Sequence, residues 1–330
     1  MRLAILLLVI TTLVGCDDGS GSGASDSGAD GGPGVLLIAR PDGIVEFNIE
    51  DGAEQTLLEP AANEFLLDPA VSPDGARLAY IVQPPPKIEG GVYDAGSDLW
   101  LARRDGSEPR LVFEHVDPNQ LVRFPQWRDD NRLLAIVIET VRREGQTMVV
   151  YTLQEFDVAT GARRTLREDV IAFAVSPDGE RVVYAELAPT VGETLRTAPV
   201  EGGEPQTLVS IEDNLSPFAS PDYSPDGRRV AFASADQSGV RAGMRYVSLP
   251  AAAATDGLPQ DIWVIDAEGG PVRRAADLNE DLPALTWSGD GQHIYVLGSN
   301  GLYDVGLQSG EVLRIGPGVF HGQLTWAEGR

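Results

Sequence analysis

Beyond Val35 the apolar residues come in short runs broken by Gly, Pro, Asp and Ser, and no segment shows the i, i+3, i+4 apolar spacing of a long helix. Strands are therefore expected throughout. The most regular feature is a hairpin in which Ser-Pro-Asp-Gly leads into a second apolar run. It reads Ser72-Pro73-Asp74-Gly75 before Leu78-Ala79-Tyr80, Ser176-Pro177-Asp178-Gly179 before Val182-Val183-Tyr184, and Ser224-Pro225-Asp226-Gly227 before Val230-Ala231-Phe232. Weaker copies stand at Trp127-Arg128-Asp129-Asp130-Asn131 and Trp287-Ser288-Gly289-Asp290-Gly291. In such a turn Pro presets φ at the first position, Asp accepts nearby backbone hydrogen bonds, and Gly takes the left-handed position that closes the loop. This chemistry accounts for Asp74, Asp178, Asp226 and Asp290 without any catalytic or metal role.

Each hairpin joins two antiparallel strands, designated a and b. A third strand, c, follows, as at Asp98-Leu99-Trp100-Leu101, Asp261-Ile262-Trp263-Val264-Ile265 and Gly301-Leu302-Tyr303-Asp304-Val305, and a second turn leads into a short strand d. The glycines of that second turn, Gly52, Gly106, Gly161, Gly203, Gly270 and Gly310, are spaced by 54, 55, 42, 67 and 40 residues and so count six units. Only five hairpins precede a strand b, beginning at Ser72, Arg128, Ser176, Ser224 and Ser288. The sixth strand a lies at the far end, where Gln323-Leu324-Thr325-Trp326 repeats Ala284-Leu285-Thr286-Trp287. The pattern predicts an all-β fold: a six-bladed propeller of four-stranded antiparallel blades, closed by the C-terminal strand joining the first blade beside residues 35–39. Closure of this kind leaves no blade with an unpaired inner edge. Trp127, Tyr223, Trp287 and Trp326 recur at the ends of strands a, and Tyr80, Tyr184 and Phe232 within strands b, positions suited to packing between blades.

Charge narrows the partners. Fifty acidic against 25 basic residues give a net charge of −25 over 330 residues, and Lys87 is the only lysine. A nucleic-acid backbone is recognised by clustered Lys and Arg, so nucleic acid is excluded as the expected partner.

The N-terminus carries separate information. Met1-Arg2 supplies one positive charge, residues 3–14 form an apolar run of 12, and Leu13-Val14-Gly15-Cys16 closes it. A bilayer span needs ~20 residues, so this run reads as a leader. Leu13-Val14-Gly15-Cys16 resembles the lipobox of bacterial lipoproteins, which implies cleavage before Cys16 and a diacylglycerol on its thiol. A conventional leader with an incidental cysteine is the other reading. With no second cysteine, no disulfide can form within the chain. Residues 17–34 are almost wholly Gly, Ser, Ala and Asp and are expected to be a flexible tether. The expected organisation is a leader over 1–15, lipidated Cys16 with its tether over 16–34, and the propeller over 35–330.

The Ser-Pro-Asp-Gly-x-x-apolar-Ala-aromatic repeat, as at Ser72 to Tyr80 and Ser224 to Phe232, resembles the WD40-like Pro-Asp repeat of TolB-type propellers over residues 35–326. Two blades depart from it, Arg128-Asp129-Asp130-Asn131 lacking Pro and Gly and Ser288-Gly289 lacking Pro. The segment expected to be a tether stands where TolB carries an α/β domain. The resemblance therefore implies the blade type and does not carry over TolB's partnership with a peptidoglycan-associated lipoprotein; the expected extracytoplasmic setting, periplasmic or at the cell surface, follows from the leader and its lipobox.

Topology sorts the loops. In an up-and-down blade the a–b and c–d turns share one face and the b–c and d–a loops the other. Both large insertions, residues 83–97 with Tyr93 and residues 234–259 with Arg241, Arg245 and Tyr246, fall in b–c loops. Loop length concentrated on one face of a rigid scaffold marks a binding face. The d–a loops add Asn63, Glu64, His115, Asp117, Asn119, Glu212, Asp213, Asn214, Asn279, Glu280 and Asp281 to the candidates. Their carboxylates suit a basic partner surface, or Ca²⁺ through hard oxygen ligands. No cofactor is otherwise implied. No Gly-x-Ser-x-Gly elbow occurs and only His115, His293 and His321 are present, so a binding module of the bacterial envelope, for a protein or a small ligand, is the expected function. The alternative is an envelope hydrolase or lyase using carboxylates in the central funnel. Buried, inward-facing carboxylates with shifted pKa would favour catalysis, and a shallow wet mouth would favour a partner surface.

Overall fold

Strand b of every unit is apolar at consecutive positions because both of its faces are buried. Along Gly34–Arg40, Val35 and Leu37 pack on one neighbouring blade, while Leu36 and Ile38 pack on the other. A computed structural model of the chain describes residues 34–85, 87–89, 92–143, 145–188, 192–238, 259–319 and 323–329. Six four-stranded antiparallel sheets follow one another around a closed ring. Six clusters of buried apolar side chains fill the six junctions between them.

In the order a to d, blade 1 is Gln323–Glu328, Gly34–Arg40, Gly43–Asn48 and Glu54–Leu58. Blade 2 is Phe65–Val71, Arg77–Gln83, Asp98–Arg103 and Arg110–Phe113, and blade 3 is Leu121–Asp129, Arg132–Arg143, Gln146–Asp157 and Arg163–Glu168. Blade 4 is Val170–Val175, Arg181–Ala188, Gly192–Pro199 and Gln206–Val209. Blade 5 is Leu215–Tyr223, Arg229–Asp236, Gln260–Asp266 and Arg273–Glu280; blade 6 is Ala284–Trp287, His293–Leu297, Leu302–Gly306 and Val312–Gly316. The expected closure is observed. Leu324 pairs with Ile38, Thr325 with Leu37 and Trp326 with Leu36, and Gln323–Glu328 also touches the innermost strands of blades 2 and 6.

The turn chemistry is also as expected. In the Pro-Asp-Gly hairpins the Ser hydroxyl donates to the Asp carboxylate, at 2.6 Å for both Ser176–Asp178 and Ser224–Asp226, and accepts from the backbone two residues beyond the Gly. The Ser hydroxyl and a backbone N–H hold the carboxyls of Asp178 and Asp226 below their ordinary range. Blade 3 departs from this pattern. Asp129 pairs directly with Arg132 across a tighter turn, and Arg128 replaces the Ser. The Arg128 guanidinium reaches the Gly179 carbonyl at 3.0 Å and Glu155 at 2.7 Å, so a side chain that caps its own turn elsewhere here ties blade 3 to blade 4.

The recurring aromatics do pack between blades. Trp127 Nε1 donates to the Ala70 carbonyl of blade 2 at 3.0 Å, Trp287 Nε1 to the Asp222 carbonyl of blade 5 at 3.1 Å, and Tyr223 bonds Thr197 of blade 4 at 3.1 Å. His293, at the start of its strand b, is bonded to Asp304 at 2.6 Å and stacks on Tyr295.

Because the last strand completes the first blade, truncation before residue 323 removes the closing row and exposes blade 1 on both sides. We expect this truncation to cost more than a single large core deletion, above about 5 kcal/mol, and to broaden the urea transition. Ser224→Ala, which strips only one turn, is expected to cost about 1–2 kcal/mol. A truncated chain melting at the parent temperature would refute the closure.

Candidate functional site

Three innermost strands share an irregularity that shapes the centre of the ring. In blade 2 Asp68 and Pro69 together oppose Tyr80, in blade 3 Phe124 and Pro125 oppose Ala135, and in blade 5 Ser220 and Pro221 oppose Phe232. Each is a β-bulge, two residues facing one. The residue before each Pro sits in the left-handed region, with φ of 51° at Asp68, 56° at Phe124 and 45° at Ser220. Proline suits the second bulge position because it has no N–H to leave unpaired. The signal was present in the sequence as a second proline, Pro69 or Pro221, four residues before the turn proline.

These strands surround a channel of about 1150 Å³ that runs from a mouth lined by Phe65, Leu121, Val149 and Leu282 to the turn prolines Pro73 and Pro177 on the opposite face. Its wall is largely apolar and proline-rich. Phe65 and Val149 remain 49% and 53% exposed, large apolar groups facing solvent at the mouth. Val149 stands on the b–c hairpin of blade 3, whose twelve-residue strands extend the sheet on the mouth side. This extension is regular strand, not loop, so loop length does not disclose it.

Charge within the channel is unevenly paired. Arg123 grips Asp68 through Nε at 2.6 Å, and Asp68 also accepts the Phe124 amide at 2.9 Å, which ties two bulges together. Arg40 is paired with Glu54, and Arg128 with Glu155. Two lining carboxylates have no basic partner among the described ion pairs. Glu193 is 4% exposed and accepts only the Phe218 amide, at 2.8 Å, so burial pushes its carboxyl up. Asp222 accepts the Trp287 amide of blade 6 at 3.1 Å, and burial raises it to about 7 against the pull of that donor and the Thr286 hydroxyl.

The residues expected on the binding face divide into several groups. Asn63, Asn119, Asn214 and Asn279 all have left-handed backbones, with φ of 66°, 66°, 59° and 52°, so turn geometry explains the choice of Asn at these corners. Among them Asn119 lines the channel. Glu280 is a correction. It ends strand d of blade 5 fully buried, bonded to Tyr303 at 2.7 Å and Asn300 at 3.0 Å, and cannot meet a partner. His115 is half-buried and bonded to Asp98 at 2.7 Å, fixing its loop. Asp117, Glu212 and Asp213 are exposed, Glu64 and Asp281 half-buried. Asp213 also caps a 3₁₀ turn, Ile211–Asp213, through Ser210. Tyr93 stands in a small hairpin, Lys87–Glu89 with Val92–Asp94. Cys16, Arg241, Arg245, Tyr246 and His321 lie outside the described residues. Among the described residues no group of three His, Cys, Asp or Glu side chains is assembled for a metal, and no helix is long and apolar enough to cross a membrane.

No protein-family model and no curated protein sequence matches the chain. Solved structures do. TolB from Acinetobacter baumannii is similar over 91% of this chain and 67% of its own, with a TM-score of 0.63 at 15% identity. A chain of the nidogen/laminin complex matches over 89% and 98%, with a TM-score of 0.61 at 11% identity. An oligogalacturonate lyase in complex with manganese matches over 86% and 78%, with a TM-score of 0.51 at 15% identity. The fold is TolB-like, as the Pro-Asp repeats implied.

The raised carboxyl of Asp222 predicts a pH dependence of stability. The folded state keeps this proton up to about pH 7, whereas the unfolded chain releases it near its ordinary value of 3.8. Stability from this group is therefore full below about pH 4 and declines as pH rises to 7, by at most about 4 kcal/mol. Asp222→Asn should flatten this decline in urea unfolding at pH 4.5, 6 and 8, and stabilise the protein most at pH 8. An unchanged slope would refute the assignment.

Proposed function

We propose that this protein is a lipid-anchored, extracytoplasmic binding module of a bacterial envelope that captures part of a partner protein, or a small ligand, at the mouth of its central channel. The observation that carries this reading is the channel itself, deep and largely apolar, with Phe65 and Val149 exposed at its rim. Monomeric surfaces seldom leave large apolar side chains grouped around a concavity unless something covers them. The exposed Asp117, Glu212 and Asp213, together with the overall charge, favour a partner with a basic surface and disfavour nucleic acid. The described chain enters the ring at Gly34, the start of a strand b, and so on the face of the a–b turns, opposite the mouth. Similarity to TolB and to a chain of the nidogen/laminin complex is consistent with a propeller that works through protein contacts.

A second reading, an envelope lyase or hydrolase, is favoured by Glu193 and Asp222, the inward carboxylates with raised pKa expected of catalysis, and the deep, largely apolar channel is not the shallow, wet mouth expected of a partner surface. The fold likeness to an oligogalacturonate lyase is compatible with it. Turnover of a bound saccharide or peptide that is lost in Glu193→Gln would establish it.

Two measurements test the main reading. Cys16→Ser should abolish incorporation of an alkyne fatty acid and release the protein from the membrane fraction. A photoreactive benzoylphenylalanine in place of Val149 should form a discrete adduct in cells, whereas one in place of Leu313, exposed on the outer strand of blade 6, should not. Equal adducts at both positions, or none at Val149, would overturn the channel as the contact site.

A further inference from the structure

The channel lining holds three arginines and three carboxylates, but two of the arginines are paired with acids outside it. Its lining arginines, Arg40, Arg123 and Arg128, are each closed in a pair with Glu54, Asp68 and Glu155, respectively. On the outer strands of blade 4, Glu186 and Arg196 satisfy each other at 2.6 Å, and Arg181 is bonded to Thr197. This leaves Glu193 and Asp222, one on each flank of blade 5's innermost strand. Glu193 bonds the Phe218 amide from the blade 4 side, and Asp222 reaches across to blade 6. Glu193 Oε1 has no hydrogen-bond partner among the described residues, although the side chain is more than nine-tenths buried and lines the cavity. A buried carboxylate without a counter-charge is costly, and a cation arriving in the cavity removes that cost.

We propose that the channel selects a ligand bearing an ammonium or guanidinium group on an apolar stem, the apolar part lying against the mouth and the cation taken by Glu193, with Asp222 a second acid further along the channel wall. An apolar stem suits the path from the mouth, where Phe65, Leu121, Phe124 and Val149 stand among polar groups such as Gln83 and Asn119. The net charge of −25 would raise the local concentration of any cation near the entrance. The inference rests on the channel being the contact site. The cation can come from an Arg, Lys or amino terminus of a partner segment, or from a free amine.

The experiment uses the full chain and three probes: the peptide acetyl-Val-Leu-Arg-Leu-Val-amide, the same peptide with neutral citrulline for Arg, and agmatine. Calorimetric titration at pH 8 should show the Arg peptide or agmatine bound at least about tenfold more tightly than the citrulline peptide. Agmatine binding as tightly as the Arg peptide would assign the site to free amines, and preference for the peptide would assign it to a partner segment. Either supports the inference. Because the carboxylates must be ionised to hold a cation, affinity for the preferred probe should rise roughly tenfold from pH 6 to pH 8. The Glu193→Gln/Asp222→Asn double variant should lose both the preference and the pH dependence. Far-ultraviolet circular dichroism and a cooperative melt identify a folded variant, and Glu193→Gln alone serves if the double variant does not fold. Equal binding of the Arg and citrulline peptides, blocked by Val149→Trp, would overturn the cation preference and leave the channel reading intact. Binding unaffected by Val149→Trp would overturn both, and failure of both cationic probes to bind would overturn the inference.

Discussion

A blade of this protein has two apolar faces and no means of covering either by itself. Leu36 and Leu37 are adjacent in sequence, both fully buried, and directed to different neighbours. Such a sheet is stable only when sandwiched, so the requirement passes from blade to blade until the last meets the first. The ring is thus a condition of folding, and exchange of one strand between the chain ends is how it is met. Inter-blade contacts such as the Trp127 and Trp287 indoles on neighbouring carbonyls then fix the register of the joints.

The same ring leaves a hole at its axis, and the bulges decide its lining. Two residues facing one push the innermost strands of blades 2, 3 and 5 out of regular pleat at Asp68-Pro69, Phe124-Pro125 and Ser220-Pro221. Proline at each bulge removes a donor that would otherwise need water, so the wall can be apolar without orphaned amides. The polar groups that remain fall into a bonded set, Asp68 with Arg123 and the Phe124 amide, and a less satisfied set, Glu193 and Asp222. The axis therefore combines a structural clamp on one side with chemical capacity on the other.

The fold was legible because it is written six times. The glycines of the second turn count six units, the Ser-Pro-Asp-Gly turns and their weaker copies mark five hairpins, and the match of Gln323–Trp326 to Ala284–Trp287 disclosed the closing strand. The site was much less legible. Candidate acids were sought in loops, where Glu280 proved to be a buried strand end and the asparagines proved to be left-handed corners. The channel carboxylates without a basic partner sit inside strands: Glu193 reads as an ordinary polar strand residue, and Asp222 is hidden in Ser220-Pro221-Asp222-Tyr223 just ahead of a second Pro-Asp. Which way a strand residue points depends on register, and a bulge shifts register by one without altering the composition around it.

Strand Gly34–Arg40 lies second in its sheet, paired along its length with Gln323–Glu328 on one side and Gly43–Asn48 on the other. A pull on the chain ahead of Gly34, directed along that strand, would load both rows of bonds together in shear and could not peel them open one at a time. The strand at which the described chain begins is therefore held against such a pull by both of its neighbours at once.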